Sequence, residues 1–211
     1  MKFKNIYFIN GNAYAGKSTL VKELARKYNA TACEENYHND YLGELDKKQF
    51  PNLTYTRDLE DWHDFIRRSP DEYERWIIGV SQDCEILELR ILENLCYQEK
   101  TVFVDTNISL ETLRKVSDRE HVLIMLADPQ ISVDRFFNRP DKEKQFLYRL
   151  LMEEPNPDAA MDNFRQCLSR INSIQNYNTF LHSGFKVLLR DDNRTIEETI
   201  ALAEKYLGLS P

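Results

Sequence analysis

Gly11-Asn12-Ala13-Tyr14-Ala15-Gly16-Lys17-Ser18 is the stretch from which the rest of the chain is read. It fits G-x-x-x-x-G-K-[ST], the Walker A pattern. In that pattern backbone N–H groups wrap the phosphates of a nucleoside triphosphate, the lysine reaches the β- and γ-phosphates, and the hydroxyl ligates Mg²⁺. A glycine-lysine string can also be a plain turn before a helix, so its flanks matter. Upstream, residues 4–9 (Lys-Asn-Ile-Tyr-Phe-Ile) have the aromatic and β-branched content of a short buried strand, which Asn10-Gly11 breaks. Downstream, Leu20, Val21, Leu24, Ala25 and Tyr28 recur at helical spacing, with Lys22, Glu23, Arg26 and Lys27 on the other face. Strand, loop and helix come in the required order, so the helix N-terminus points its free N–H groups and positive dipole end at the phosphates. ATP or GTP is the expected ligand, on Gly11, Asn12, Ala13, Tyr14, Ala15, Gly16, Lys17, Ser18 and Thr19.

The 211 residues are 42% hydrophobic and 30% charged, a globular composition that suits one α/β domain over 1–211 with a substantial core. A net charge of -7 and a pI near 5.2 leave no electrostatic footprint for nucleic acid or an anionic membrane, so neither is an expected partner. Cys33, Cys84, Cys96 and Cys167 form no C-x-x-C pair and read as reduced thiols of a cytoplasmic protein. The opening Met-Lys-Phe-Lys resembles a signal peptide, but the apolar run behind it stops at Asn10, and no segment approaches transmembrane length.

Segments 101–105, 121–127 and 185–189 are short and apolar and are followed by turn residues, as buried parallel strands are; 30–33 is a weaker candidate. Helical segments separate them, which predicts a sheet with crossovers. About 65 residues lie between the second and third strands, too many for a simple crossover, which predicts a helical insertion at about 36–98. Within it Trp76, Val80, Cys84, Leu87, Ile91 and Leu95 form a helical stripe that reads as core. Asn156-Pro157 reads as an N-cap and first helical residue, opening a helix whose apolar side runs from Ala160 through Ile171 to Ile174. Thr195 and Glu198 are spaced as a capping box for a last helix that closes near Gly208.

Val102-Phe103-Val104-Asp105 looks like a Walker B segment, its carboxylate at a strand end beside the loop, where Asp105 and Ser18 would hold Mg²⁺. Arg135 and Arg139 are four apart, so on a helix they share a face from which both guanidinium groups reach a transferring phosphoryl group. With these segments in place, the chain resembles the nucleoside monophosphate kinase-like branch of P-loop kinases, which includes shikimate, adenylate and deoxynucleoside kinases. The resemblance spans nearly the whole chain, though only Walker A is specific. It implies a P-loop NTPase three-layer sandwich with five parallel strands in the order 2-3-1-4-5. It also implies an Arg-bearing lid at about 135–157 and a loop, Arg190-Asp191-Asp192-Asn193-Arg194, bordering adenine, with Arg190 and Asn193 at the nucleotide. Tyr14 departs from the family, which usually has glycine there.

By the same resemblance the phosphoryl acceptor is gripped just after the second strand, at Cys33-Glu34-Glu35-Asn36-Tyr37-His38-Asn39-Asp40. From 30 to 66 nine acidic residues face three bases, Lys47, Lys48 and Arg57. A monophosphate acceptor needs an arginine-rich cradle, whereas a hydroxyl needs a carboxylate to take its proton. Glu34 or Glu35 is therefore the candidate base, and the glutamate that deoxynucleoside kinases place at the end of their second strand points the same way. Their Glu/Asp-Arg-Ser signature is absent, since Asp105-Thr106-Asn107 stands in its place. His38 and His63 have no cysteine or third histidine nearby in sequence, which argues against zinc. The expected activity is ATP- and Mg²⁺-dependent phosphoryl transfer to a hydroxyl of a small molecule, with Lys17, Glu34 or Glu35, Arg135 and Arg139 catalytic. The alternatives are a nucleoside monophosphate kinase and, from another class, a nucleotide-binding regulator that transfers nothing.

Overall fold

The computed structural model describes residues 2–98, 100–138 and 142–209. Its centre is a fully parallel sheet of five strands, β1 (Ile6–Gly11), β2 (Thr31–Cys33), β3 (Val102–Asp105), β4 (Val122–Leu126) and β5 (Lys186–Leu189), in the order β2-β3-β1-β4-β5. The central strands β3 and β4 are buried at every residue, as the continuous apolar runs Val102-Phe103-Val104 and Val122-Leu123-Ile124-Met125-Leu126 require. β1 runs two residues further than the apolar pattern indicates, because Asn10 and Gly11 still pair with Ile124 and Met125. The register sets Ile9 opposite Asp105 and Gly11 opposite Met125, bringing the start of the 11–18 loop and the end of β3 to one edge of the sheet.

Helices cover both faces. On one lie α1 (Lys17–Lys27) and α9 (Ile196–Leu207), whose Leu20, Val21, Leu24, Ala203 and Leu207 pack against Ile9, Phe103 and Leu123. Each fully buried Leu or Val contributes roughly 1.5–3 kcal/mol by leaving water. The capping box of α9 is formed as its sequence predicts, Thr195 Oγ1 accepting from the Glu198 N–H while Glu198 accepts from the Thr195 N–H. On the other face lie the C-terminal part of α3 (Pro70–Cys96), α4 (Leu110–Val116) and α8 (Ile174–Leu181), through Leu92, Leu113 and Phe180.

A third cluster lies beyond the sheet. Here α2 (Trp62–Ile66), the N-terminal half of α3, α6 (Lys142–Glu153) and α7 (Pro157–Ile171) bury Phe65, Tyr73, Leu151 and Phe164 among aromatic neighbours. Trp62 and Phe65 are part of this packing.

Two helical expectations are corrected. The helix opened by Asn156 is not continuous to Ile174: α7 stops at Ile171, and Ser173 caps a new helix by accepting from the Asn176 N–H. Likewise, Arg135 does not stand on an α-helix, because α5 (Pro129–Asp134) ends with Arg135 as its C-cap and a 3₁₀ turn, Phe136–Asn138, follows. Arg139 lies outside the described residues.

Candidate functional site

The 11–18 loop is shaped by its glycines and held by asparagines. Gly11 has φ 133°, and a Cβ there would overlap the Met125 carbonyl on β4, so the close strand approach excludes any side chain. Gly16 has φ 92° and turns the chain into α1. Asn12 ties the loop to the end of β4 by a two-way amide bond, Nδ2 donating to the Ala127 carbonyl at 2.7 Å and Oδ1 accepting from the Ala127 N–H at 2.8 Å. Buried Asn10 donates to the Ile108 carbonyl at 2.7 Å. The carbonyls of Asn12, Ala13 and Tyr14 accept from Lys17 Nζ, Ser132 Oγ and Arg190 Nη1 respectively.

Tyr14 occupies the left-handed region, with φ 64°. That costs a non-glycine residue roughly 1–2 kcal/mol. Its hydroxyl donates to the Arg135 carbonyl at 2.8 Å. The position that is usually glycine in the resembling kinases thus does take a glycine-like backbone here, with the side chain latched to the end of α5.

α1 begins without a side-chain cap and without an acidic residue in its first turn. Its first N–H groups and positive dipole end therefore meet the loop without a built-in anion. Lys17 and Ser18, the first two residues of the helix, reach across to β3: Lys17 Nζ stands 3.7 Å from Asp105 Oδ1, and Ser18 Oγ donates to Asp105 Oδ2 at 2.7 Å. Asp105 is 5% exposed. Burial pushes its carboxyl above the ordinary carboxylate range, while Lys17 and the Ser18 hydroxyl pull against that and the charges of Glu35 and Glu88 add to it. A hydroxyl and a carboxylate oxygen in contact are hard oxygen donors of the kind Mg²⁺ takes, so this pair fits the cation. Thr19, the next residue of α1, is exposed.

Beside the loop, on the α1/α9 face, a cavity of about 280 Å³ is walled by Leu188, Leu189, Ile196 and Ile200, floored by Ala15 and Gly16, and edged by Arg190, Asp191 and Arg194. Arg190 belongs both to this wall and to the loop, through its bond to the Tyr14 carbonyl; its Nε also pairs with Asp192 at 2.7 Å. Asn193 lies outside this cavity, its N–H donating to Asp191, while Arg194, one residue on, is part of the edge. Arg135 is exposed at the end of α5, close enough to Asp192 to hold that carboxylate down after the stronger pull of Arg190. Arg135 and Arg190 thus meet at Tyr14, on the same side of the loop as this cavity.

The opposite side of the loop opens on a groove of about 960 Å³ between α3 and α8. It is lined by the loop start, residues 10–13, by apolar Ile77, Ile86 and Phe180, and by polar Gln82, Glu85 and Asn107. Its walls carry no lysine or arginine among the described residues. Glu34 and Glu35, neither of which lines this groove, part company. Glu34 is half exposed and faces Lys22 at 3.9 Å, whereas Glu35 stands near enough to Asp105 for its charge to be felt there.

The sequence gives little hint of what lies behind Asp105. Glu88, inside the apolar stripe of α3, is 0% exposed; it accepts from Thr106 Oγ1 at 2.6 Å, the Asn107 N–H at 3.1 Å and Asn107 Nδ2 at 3.2 Å. Asp83 is similarly buried and accepts from the N–H groups of Asn52 and Leu53. Ligand-type side chains gather around Glu88, and burial pushes the thiols of Cys33 and Cys84 up to about 11 and about 12, with Glu88 adding to both. The histidines separate: His38 is buried against Glu88, while His63 pairs with Glu154 at 2.6 Å near α6.

Compared with protein-family models and with curated proteins, the chain matches none. The architecture is that of an α/β protein with a five-stranded parallel sheet, compatible with a P-loop NTPase fold. No helix among the described residues is long and apolar enough to cross a membrane.

Proposed function

We propose that this chain is an ATP-dependent phosphotransferase of the P-loop kinase type that moves the γ-phosphoryl group to a hydroxyl of a small molecule. The observation that carries the reading is the meeting of Lys17, Ser18 and Asp105 at the uncapped N-terminus of α1, below a loop whose glycines admit close backbone approach. The base of the nucleotide lies in the apolar cavity by Leu189 and Ile196, and the triphosphate runs along the loop to Lys17. Ser18 and Asp105 would hold Mg²⁺, which would supply positive charge against the phosphates. Arg135, at the lid's entrance, and Arg190 approach the phosphates from the Tyr14 side; Arg139 is assigned to the lid by its sequence position alone.

The acceptor occupies the groove that begins at residues 10–13. Its hydroxyl oxygen bonds to the γ-phosphorus as the bond from that phosphorus to the β,γ-bridging oxygen breaks, ADP leaves with the electron pair, and the hydroxyl proton passes to a carboxylate. Glu35 suits that role better than Glu34, which is turned to Lys22. A groove with no lysine or arginine among its described lining residues supports an uncharged acceptor over a nucleoside monophosphate.

The test is ADP release from ATP and Mg²⁺ with a panel of nucleosides, sugars, aminoglycosides and monophosphates, GTP being run in parallel. One hydroxyl acceptor should stimulate release. Lys17→Ala should lower kcat/KM by about 10²-fold or more, as loss of a charge-stabilising group does. Glu35→Gln should lower kcat by about 10²- to 10⁴-fold, as loss of a general base does, with Glu34→Gln near wild type. Tight ATP binding with silence across the panel would assign the chain to the nucleotide-binding regulators, and full activity in Lys17→Ala would end the reading altogether.

A further inference from the structure

Between the 3₁₀ turn Tyr37–Glu44 and α3, three side chains of metal-ligand type converge in the interior. His38, Cys84 and Glu88 are 3, 2 and 0% exposed. Cys84 and Glu88 are one helical turn apart on α3 and so share a face, towards which the turn presents His38. Glu88 Oε1 lies 3.3 Å from His38 Nδ1, Cys84 Sγ lies 3.5 Å from His38 Nε2, and one donor atom from each residue falls within 4.8 Å of the others.

Two observations separate this cluster from an ordinary buried hydrogen-bond network. His38 Nδ1 is buried without a hydrogen-bond partner, and the neighbouring Tyr37 Oη is buried against Glu88. The Nδ1 to Oε1 contact is misaligned for a hydrogen bond, yet its length is what two ligands of one tetrahedral Zn²⁺, each about 2.0 Å from the metal, would show, namely about 3.3 Å; Cys84 Sγ, which lies at the other ring nitrogen, would give up that contact and turn about its Cα–Cβ bond to join them. Charge is the second observation. Thr106 and Asn107 are neutral donors to Glu88, and its one ion-pair partner among the described residues is His38. A buried carboxylate needs fuller compensation than neutral donors supply. A divalent cation with Glu88 and a Cys84 thiolate, beside a neutral His38, brings the net charge to zero.

We propose that His38, Cys84 and Glu88 form a binding site for a divalent metal of borderline softness, Zn²⁺ before others, with Tyr37 Oη placed beside it for the fourth position. The mixed nitrogen, sulfur and oxygen set selects against Mg²⁺, so this site is distinct from Ser18 and Asp105. Binding displaces the Cys84 thiol proton to solvent, and the bonds formed are metal to sulfur, nitrogen and oxygen, with no redox change. The metal would fasten the turn that follows Glu35 to α3. Through the second oxygen of Glu88 it would also fasten the Thr106–Asn107 corner behind Asp105. The inference does not depend on the kinase reading.

The experiment uses the full chain, stripped with chelator and titrated with Co²⁺ as a spectroscopic stand-in for Zn²⁺. Expected are saturation at one equivalent, a thiolate-to-cobalt charge-transfer band with four-coordinate ligand-field bands, and displacement of all of these by Zn²⁺. Cys84→Ser should lose the charge-transfer band, and His38→Gln should weaken Co²⁺ binding at least tenfold. Asp105→Asn should keep both. If the native chain gives no such band, or if Cys84→Ser and His38→Gln bind Co²⁺ as it does, the site does not exist. Should the variants fail to fold by far-UV circular dichroism, X-ray absorption of the Zn²⁺-loaded native chain decides: one sulfur among nitrogen and oxygen neighbours supports the site, and zero or two sulfurs overturn it.

Discussion

At the residue scale, Gly11 makes the sharpest demand in the loop. Its φ of 133° and the Met125 carbonyl where a Cβ would stand mean that Gly11→Ala has to move β4 or the loop. The expected loss is about 3 kcal/mol or more of stability, read as an earlier midpoint in urea with the slope unchanged. Tyr14 invites a gentler test. Tyr14→Phe keeps the backbone and the ring and removes the hydroxyl that donates to the Arg135 carbonyl, so it should cost about 0.5–1.5 kcal/mol and, under the proposed function, raise KM for nucleotide with a smaller change in kcat. An unchanged KM would show that the latch has no part in nucleotide binding. Residues of the loop were legible because the motif states their spacing, and Asp105 because it ends an apolar strand. Glu88, His38 and Cys84 were not, because a glutamate within an apolar stripe reads as one exposed position and 46 residues separate His38 from Cys84.

At the scale of elements, the contact between α2 and α6 depends on protonation. The Glu154 carboxylate is held below the ordinary carboxylate range first by the Arg67 hydrogen bond, then by His63. A carboxyl whose pKa is lower folded than unfolded stabilises fully above its unfolded value, here 4.5, and that contribution disappears as pH falls through the folded value. Thermal melts of the native chain should therefore fall as pH drops below about 4.5, whereas Glu154→Gln should lack this increment and sit about 0.5–1 kcal/mol lower at neutral pH. Equal pH dependence in both proteins would remove Glu154 from the account. The strands and α9 were readable because buried parallel strands are continuous apolar runs and a capping box has a fixed spacing. The α7/α8 break was harder to see, since Ile171 and Ile174 continue the apolar period across it and only the Ser173 cap marks it. The Arg135 corner eluded the helical pattern because α5 stops one residue before it.

At the scale of the molecule, nucleotide should act as a folding ligand. If the triphosphate lies on the loop, ATP with Mg²⁺ at a hundred times its Kd should add about 2.7 kcal/mol to unfolding free energy, visible in calorimetry. AMP or adenosine, lacking the phosphates that Lys17 and the α1 N-terminus meet, should add far less, and equal shifts from all three would place the binding energy in the base cavity instead. Finally, α3 has 27 residues, a rod of about 40 Å at 1.5 Å per residue. Tyr73, near one end, is set in the helical cluster with Phe65 and Phe164, while Leu92, near the other, is set in the sheet core with Val104 and Leu113. Such a rod works as a beam clamped at both ends. Tilting one end deflects the other, and the groove lined by its middle turns narrows or widens in step. The α3 side of the molecule is therefore not a detachable module: cutting the chain within α3 should release the clamp at both ends, and amides of the two halves should exchange hydrogen at similar rates.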